Sequence, residues 1–322
     1  MYRILTKPKP PNKTDLTPRD IAIIRATHRY RFTTTDQLQK LTGSKDRRSL
    51  NSRLRILWAA GFLDRPAIQR EIFAYRDKRP TIHALGQQGA KWLAINDGVR
   101  FPIGKGWASA NKIKSSIYLE HRLGVTDTML TFTESLTGLD GCRLIEKDEV
   151  VLTSPTKTHK LKFPFRMATE VHLPSGEKVR KSTVPDYTFA IGDQRQGSEK
   201  RALFFLEWDN STEDYIKTDP RQSMILGKYL AYADAYNRKI HTKQFGFKNF
   251  RVLFVVNGSD DRVMKMIKVY QTYVAKTCPA GSFLHTTMDE LVIHGVLAKI
   301  WQTGKGEYVS LIPNASSNRM PT

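Results

Sequence analysis

Glu207 and Asp209 stand two residues apart at the end of the apolar run Leu203–Phe204–Phe205–Leu206–Glu207–Trp208–Asp209. Asp186 lies in a second β-prone run, Val184–Pro185–Asp186–Tyr187–Thr188–Phe189. Residues i and i+2 of a strand share a face. Side-by-side pairing of the two runs would therefore bring three carboxylates to one place. Clustered carboxylates repel, and a hard divalent cation neutralises them. Such a set suits Mg2+ or Mn2+, which keep several waters. The cation polarises a phosphate and lowers the pKa of an attacking water. The competing reading is structural: acids at strand ends also cap loops and pair with basic side chains.

The layout is the Pro-Asp…(Asp/Glu)-x-Lys pattern of metal-dependent nucleases, with Asp209 standing where that pattern has its lysine. Nucleophile orientation and developing negative charge call for a nearby cation. Lys228 is the expected substitute, bordering the apolar face of the next helix between Ile225 and Tyr232. Lys217 is a weaker choice. Glu120 is a further acid able to lean into the cluster, against a solvated helix surface as its alternative. His121 reads as a core or orienting histidine. His28, His83, His159, His172, His241, His285 and His294 show no zinc spacing. No glycine-rich phosphate loop occurs, which argues against nucleotide hydrolysis.

These residues need a sheet to hold them. Strands are expected at Val184–Ile191, Arg201–Asp209 and Phe250–Val256, the last buried on both faces. Helices are expected over Asn111–Leu136, with Ile117, Val125 and Leu136 buried, over Pro220–Asn237, with Ile225, Tyr229, Tyr232 and Tyr236 inward, and over Asp261–Lys276. Residues 143–173 read as irregular and strand-rich. The order predicts a mixed sheet flanked by helices.

The charge points to a second site. Residues 1–110 hold 22 Lys/Arg against 8 Asp/Glu, and the rest hold 30 against 23, within a net of +21. Such asymmetry predicts a nucleic-acid-binding head on a more neutral body. Thr17–Pro18–Arg19–Asp20 is a helix start. A second helix opens near Thr34–Thr35–Asp36 and stops at Gly43. A third spans Asp46 to Ala60, with Leu50, Leu54 and Leu57 as one stripe. Arg47, Arg48, Asn51, Ser52 and Arg55 are its candidate DNA contacts. A strand (Ile68–Tyr75), a basic turn carrying Arg76, Lys78 and Arg79, and a return strand (Thr81–Leu85) complete a winged helix, a relative of the helix-turn-helix. The alternative use of that fold is protein contact.

The expected domains are a disordered basic tail (1–14), a winged-helix domain (15–100), a linker (101–110), a nuclease-like domain (111–312) and a disordered tail (313–322). The N-terminus lacks the apolar stretch of a secretory signal, and no run is long enough to span a membrane. Cys142 and Cys278 read as reduced, buried thiols in a cytoplasmic protein.

The chain resembles the replication-relaxation family of plasmids and mobile elements, which includes mobilisation relaxases. The likeness runs over residues 15–275. Leu16–Thr17–Pro18–Arg19–Asp20, Arg48–Arg53–Leu54, Leu57–Gly61–Phe62–Leu63 and Glu120–His121–Arg122–Leu123 carry its first part. Val184–Pro185–Asp186, Phe205–Leu206–Glu207–Trp208–Asp209, Lys228–Tyr229 and Arg251–Val252–Leu253–Phe254–Val255 carry its second. The resemblance implies an α+β, α/β chain: a winged helix-turn-helix fused to a mixed-sheet, restriction-endonuclease-like domain. It implies Asp186, Glu207 and Asp209 as the Mg2+ (or Mn2+) ligands, with Lys228 as the helix lysine. The expected function is DNA binding in replication or mobilisation, with metal-dependent nicking or cleavage. The alternative is a non-catalytic initiator or transcriptional regulator with a degenerate nuclease domain. Expected partners are double-stranded DNA such as an origin region, and a second copy of the chain or other mobilisation and replication proteins.

Overall fold

A computed structural model describes residues 7–69, 81–99, 101, 111–112, 115–174, 176–216 and 224–312. Two compact units divide the chain, 1–130 and 131–322.

In the first unit Thr17 caps α1 (Pro18–Tyr30). Its hydroxyl accepts from the Asp20 amide, and the Asp20 carboxylate accepts from the Thr17 amide at 2.7 Å. Asp20 is fully buried and receives Nε and Nη2 of Arg53 at 2.9 and 2.6 Å. Burial alone would raise its pKa, but Arg53 and Thr17 outweigh this and hold it below the usual carboxylate value. The pair locks α1 to α3 (Arg47–Ala59), whose Leu50, Leu54 and Leu57 face inward as expected. Between them, α2 (Thr35–Thr42) ends on Gly43, left-handed at φ 61°.

A short strand that periodicity did not reveal, β1 (Phe32–Thr34), joins α1 to α2. It pairs antiparallel with β3 (Ile82–Leu85), which also pairs with β2 (Leu63–Asp64). The Gln69 side chain exchanges two 3.1 Å hydrogen bonds with the Ile82 backbone, replacing a strand partner there. Most of the expected strand Ile68–Tyr75, the basic turn and the linker lie outside the described residues. Helix α4 (Gln87–Asn96) begins at Gly86, where a Cβ would sit 2.2 Å from the Gly61 carbonyl oxygen and 2.7 Å from that of Leu63. Both obstacles are backbone. Gly86→Ala is therefore expected to cost about 1–3 kcal/mol by overpacking, read as a lower urea midpoint.

Helix α5 (Ser116–Thr137) contains the division between the units. Val125 and Leu136 are buried, but Ile117 is 56% exposed, so the inward stripe begins with Leu119.

The second unit is built on a seven-stranded mixed sheet, ordered β12-β11-β10-β9-β8-β7-β4. Its strands are β4 (Cys142–Ile145), β7 (Tyr187–Asp193), β8 (Lys200–Asp209), β9 (Phe250–Val256), β10 (Phe283–Thr287), β11 (Trp301–Thr303) and β12 (Tyr308–Val309). The central β8, β9 and β10 run parallel, and the outer pairs are antiparallel. Helices α8 (Ile225–Asn237) and α10 (Asp260–Tyr273) connect the parallel strands, as parallel pairing demands. One sheet face packs Phe189 on Phe204 at 5.3 Å and Phe132 on Phe189 at 4.7 Å. The other buries Leu203, Phe205, Val252 and Phe254 with Tyr229 and Tyr232 of α8. Burial pushes His285 down to about 4, so the ring is neutral and bridges Tyr229 Oη (2.6 Å) and the Gln302 carbonyl (3.0 Å).

Residues 143–173 are more helical than expected: α6 (Lys147–Leu152) and α7 (Thr156–His159) precede β5 (Met167–His172). β5 and β6 (Lys178–Thr183) form a separate hairpin whose Met167, Val171 and Val179 join the core around α8. Short helix α9 (Ile240–Phe245) follows α8, and α11 (Met288–His294) follows β10. Cys278 is buried and pushed up to about 11 by burial, whereas Cys142 is only half-buried; both are free thiols. No helix among the described residues is long and apolar enough to cross a membrane.

Candidate functional site

Antiparallel pairing sets the start of β7 beside the end of β8. Tyr187 pairs with Leu206, so Asp186 and Glu207 occupy the next step. Glu207 is on the face toward α8, because it alternates with Leu206 and Trp208. Asp186 Oδ2 accepts the Trp208 amide at 3.0 Å, and so satisfies a strand N–H at the sheet end.

Glu207 is 3% exposed, and each of its oxygens has a partner. Tyr232 Oη donates to Oε1 at 2.5 Å, and Lys228 Nζ lies 3.1 Å from Oε2. Lys228 therefore reaches the carboxylate end of the sheet from α8, and its ammonium is also 3.1 Å from Glu213. Burial pushes the Glu207 carboxyl up to about 7; Lys228 draws it down and Asp186 adds to the rise. Burial would lower Lys228, but Glu207, Asp186 and Glu213 outweigh it and hold the ammonium protonated. Burial and the Glu207 charge raise Tyr232, which stays a hydrogen-bond donor.

Glu207 has a sign for stability. Its folded pKa is above the ordinary value, so its contribution is complete below about pH 4.5 and is lost as pH rises through about 7. Thermal stability of the second unit is expected to fall across that window, with Glu207→Gln flattening the dependence. An unchanged slope in that variant would refute the assignment.

Asp209 departs from the expected arrangement. Although it shares a face with Glu207, Arg262 of α10 holds it bidentately at 2.6 and 3.0 Å, and the Ser211 amide donates at 3.2 Å. Arg262 also donates to the Glu213 carbonyl at 2.6 Å and stacks 4.5 Å over Tyr215. The three-carboxylate set is thus not assembled: among the described residues no three acidic, imidazole or thiol groups converge as a metal site. Asp186 and Glu207 remain as neighbouring oxygen donors, a number that suits a cation keeping most of its waters. Glu120 lies exposed on α5, within the first unit. His121 is half-buried on α5. Lys217 lies outside the described residues.

Sequence reasoning missed Lys181, Glu213 and Tyr232 as site residues. Lys181, on β6, sets its ammonium where a Cβ on Gly227 would be 2.5 Å away. Burial lowers its pKa, with Glu213 opposing and Lys228 adding to the fall. Tyr232 carried a signal, a hydroxyl within an inward stripe, because a buried phenol needs a partner. A cavity of about 690 Å³ opens at the opposite end of the same strands, around Leu203, Phe250 and Arg251, and touches neither Asp186 nor Glu207.

In the first unit, Arg48, Asn51, Ser52 and Arg55 project from α3 into solvent. Arg47 is instead tied to Asp36 and Gln39 of α2. Arg76, Lys78 and Arg79 lie outside the described residues.

The second unit is thus a mixed α/β body with a buried carboxylate–lysine–tyrosine cluster at the carboxyl end of a parallel strand. A family model described as replication-relaxation matches residues 24–248, well over half of the chain. The chain belongs to the replication-relaxation family. No curated protein and no solved structure matches it.

Proposed function

We propose that the chain is a DNA-binding replication or mobilisation factor of a plasmid or other mobile element, and that its second unit cuts DNA with a divalent metal. The observation that carries this reading is Lys228 of α8 lying 3.1 Å from Glu207, beside Asp186, at the end of β8. The lysine missing from the strand position of Asp209 is supplied from a helix. In this reading the unit is a restriction-endonuclease-like fold, and Asp186 and Glu207 would be the residues that hold Mg2+ or Mn2+. The metal would polarise the scissile phosphate and lower the pKa of its bound water. Lys228 offsets negative charge developing on the phosphate, and Tyr232 fixes the Glu207 rotamer.

The first unit is read as a winged helix, supported by three helices and a small three-stranded sheet in which β1 joins α1 to α2 and β2 and β3 follow α3. Arg48, Asn51, Ser52 and Arg55 are proposed to contact double-stranded DNA from α3, and Arg76, Lys78 and Arg79 to extend that grip. Arg47 serves chiefly to join α3 to α2. A cytoplasmic location follows from a plasmid-borne substrate.

The test is conversion of a supercoiled plasmid carrying the element's origin region, with Mg2+ or Mn2+ against EDTA, for wild type and Asp186→Asn. Open-circle or linear product in wild type with metal alone supports cleavage. Bound but uncut plasmid in every lane supports the second reading, a non-catalytic initiator or regulator. The Asp209–Arg262 pair favours that alternative, since it removes one of the three expected ligands.

A further inference from the structure

Most described arginines and several lysines of the second unit have a carboxylate partner: Arg143, Arg180, Arg195, Arg201, Arg238, Arg262, Lys178, Lys228 and Lys265 each form an ion pair. The segment 157–166, reading Lys-Thr-His-Lys-Leu-Lys-Phe-Pro-Phe-Arg, is different. It holds four Lys/Arg and no Asp or Glu. Lys157, Lys160, Lys162 and Arg166 are all exposed, and none is paired with an acid among the described residues.

The segment is nevertheless anchored. Thr158 donates to the Gln244 carbonyl, and the Gln244 side chain donates to the carbonyls of Pro164 and, at 3.2 Å, Arg166. Phe165 turns inward and stacks on Phe245 at 5.7 Å. Phe163, two residues earlier, turns outward and is 51% exposed. Arg166 lies 4.6 Å from its ring and Lys162 5.5 Å. The result is an exposed aromatic ring flanked by Lys162 and Arg166, on an anchored segment whose cations have no acidic partner among the described residues. Its chain continues into β5, whose first residue, Met167, pairs with Thr183, three residues before Asp186.

We propose that this strap is a binding site for a single strand of DNA, with one unpaired base on Phe163 and phosphates on Lys160, Lys162 and Arg166. Exposed aromatic rings flanked by cations suit unpaired bases, since a duplex keeps its bases stacked on one another. The proposal rests on the DNA reading above and deepens it: the second unit would grip the strand it acts on, apart from any duplex contact by α3.

The test uses the full chain and fluorescence anisotropy with a labelled mixed-sequence oligonucleotide of about 20 nucleotides, single-stranded or as a duplex. Phe163→Ala is expected to weaken single-strand binding on the order of tenfold while duplex binding stays within about twofold. Lys160→Gln/Lys162→Gln is expected to reduce the slope of log affinity against log salt by about 1.4 for the single strand. Unchanged single-strand affinity in both variants overturns the site, as does an equal loss for both DNA forms. Binding to phosphatidylserine vesicles in place of the strand also overturns it. Cleavage is scored separately: a protein that loses single-strand binding in these variants but never cuts retains this site and loses the nuclease reading.

Discussion

Glu207→Gln is expected to abolish metal-dependent DNA cleavage, by on the order of 10²–10³-fold or more, without destabilising the second unit. The substitution keeps the shape and an oxygen for Tyr232, but removes the anion that would bind the metal. Stability is preserved because a buried carboxylate carries a large desolvation cost, and Gln does not. Lys228 is not stranded: Glu213 lies 3.1 Å from its ammonium and Asp186 also acts on it. Plasmid cleavage and thermal melting on the same preparations decide the matter. Cleavage at the wild-type rate would remove the chemistry from this cluster. A loss of several kcal/mol in stability would instead make Glu207–Lys228 a structural ion pair.

Arg262→Ala is expected to destabilise the second unit by about 3–5 kcal/mol, because it leaves Asp209 buried without its counter-charge. Asp209 is 3% exposed and Arg262 holds both of its oxygens. Changing both partners together, Asp209→Leu with Arg262→Met, should cost clearly less than the sum of the single changes, since no buried charge is orphaned. Denaturant unfolding of the cycle measures the coupling. Asp209→Asn should retain metal-dependent cleavage. If it destroys cleavage and leaves the melting temperature in place, Asp209 is a metal ligand after all and Arg262 its guardian.

The local features followed from local patterns. Thr17–Pro18–Arg19–Asp20 starts α1 because its side chains complete the first turn's hydrogen bonds, whatever else is nearby. The leucine stripe of α3 faces inward, and Arg48 and Arg55 therefore face out. β9 matches its apolar run, Phe250–Val256, end to end. Period two along β8 puts Glu207 and Asp209 on one face, and the helix pattern around Lys228 aims it at the same sheet.

Elements and partners set at long range were hidden. The strand β1 is three residues long, too short for a period, and exists because β3 lies next to it. The strands β10, β11 and β12 extend the sheet by pairing in series from β9, and isolated short runs carry no sign of that. Ile117 lies at an end of its helix where the packed stripe has not begun.

The sequence by itself determined the charge asymmetry, the main helices and strands, and the faces on which Glu207, Asp209 and Lys228 stand, because backbone periodicity and capping are local. Only the tertiary structure decided which opposite charge each acid meets. Glu207 met Lys228 and Tyr232, one turn apart on α8, while Asp209 met Arg262, 53 residues away on α10. A buried carboxylate takes the partner that the packed helices bring within hydrogen-bond reach, and that distance is a property of the assembled sheet.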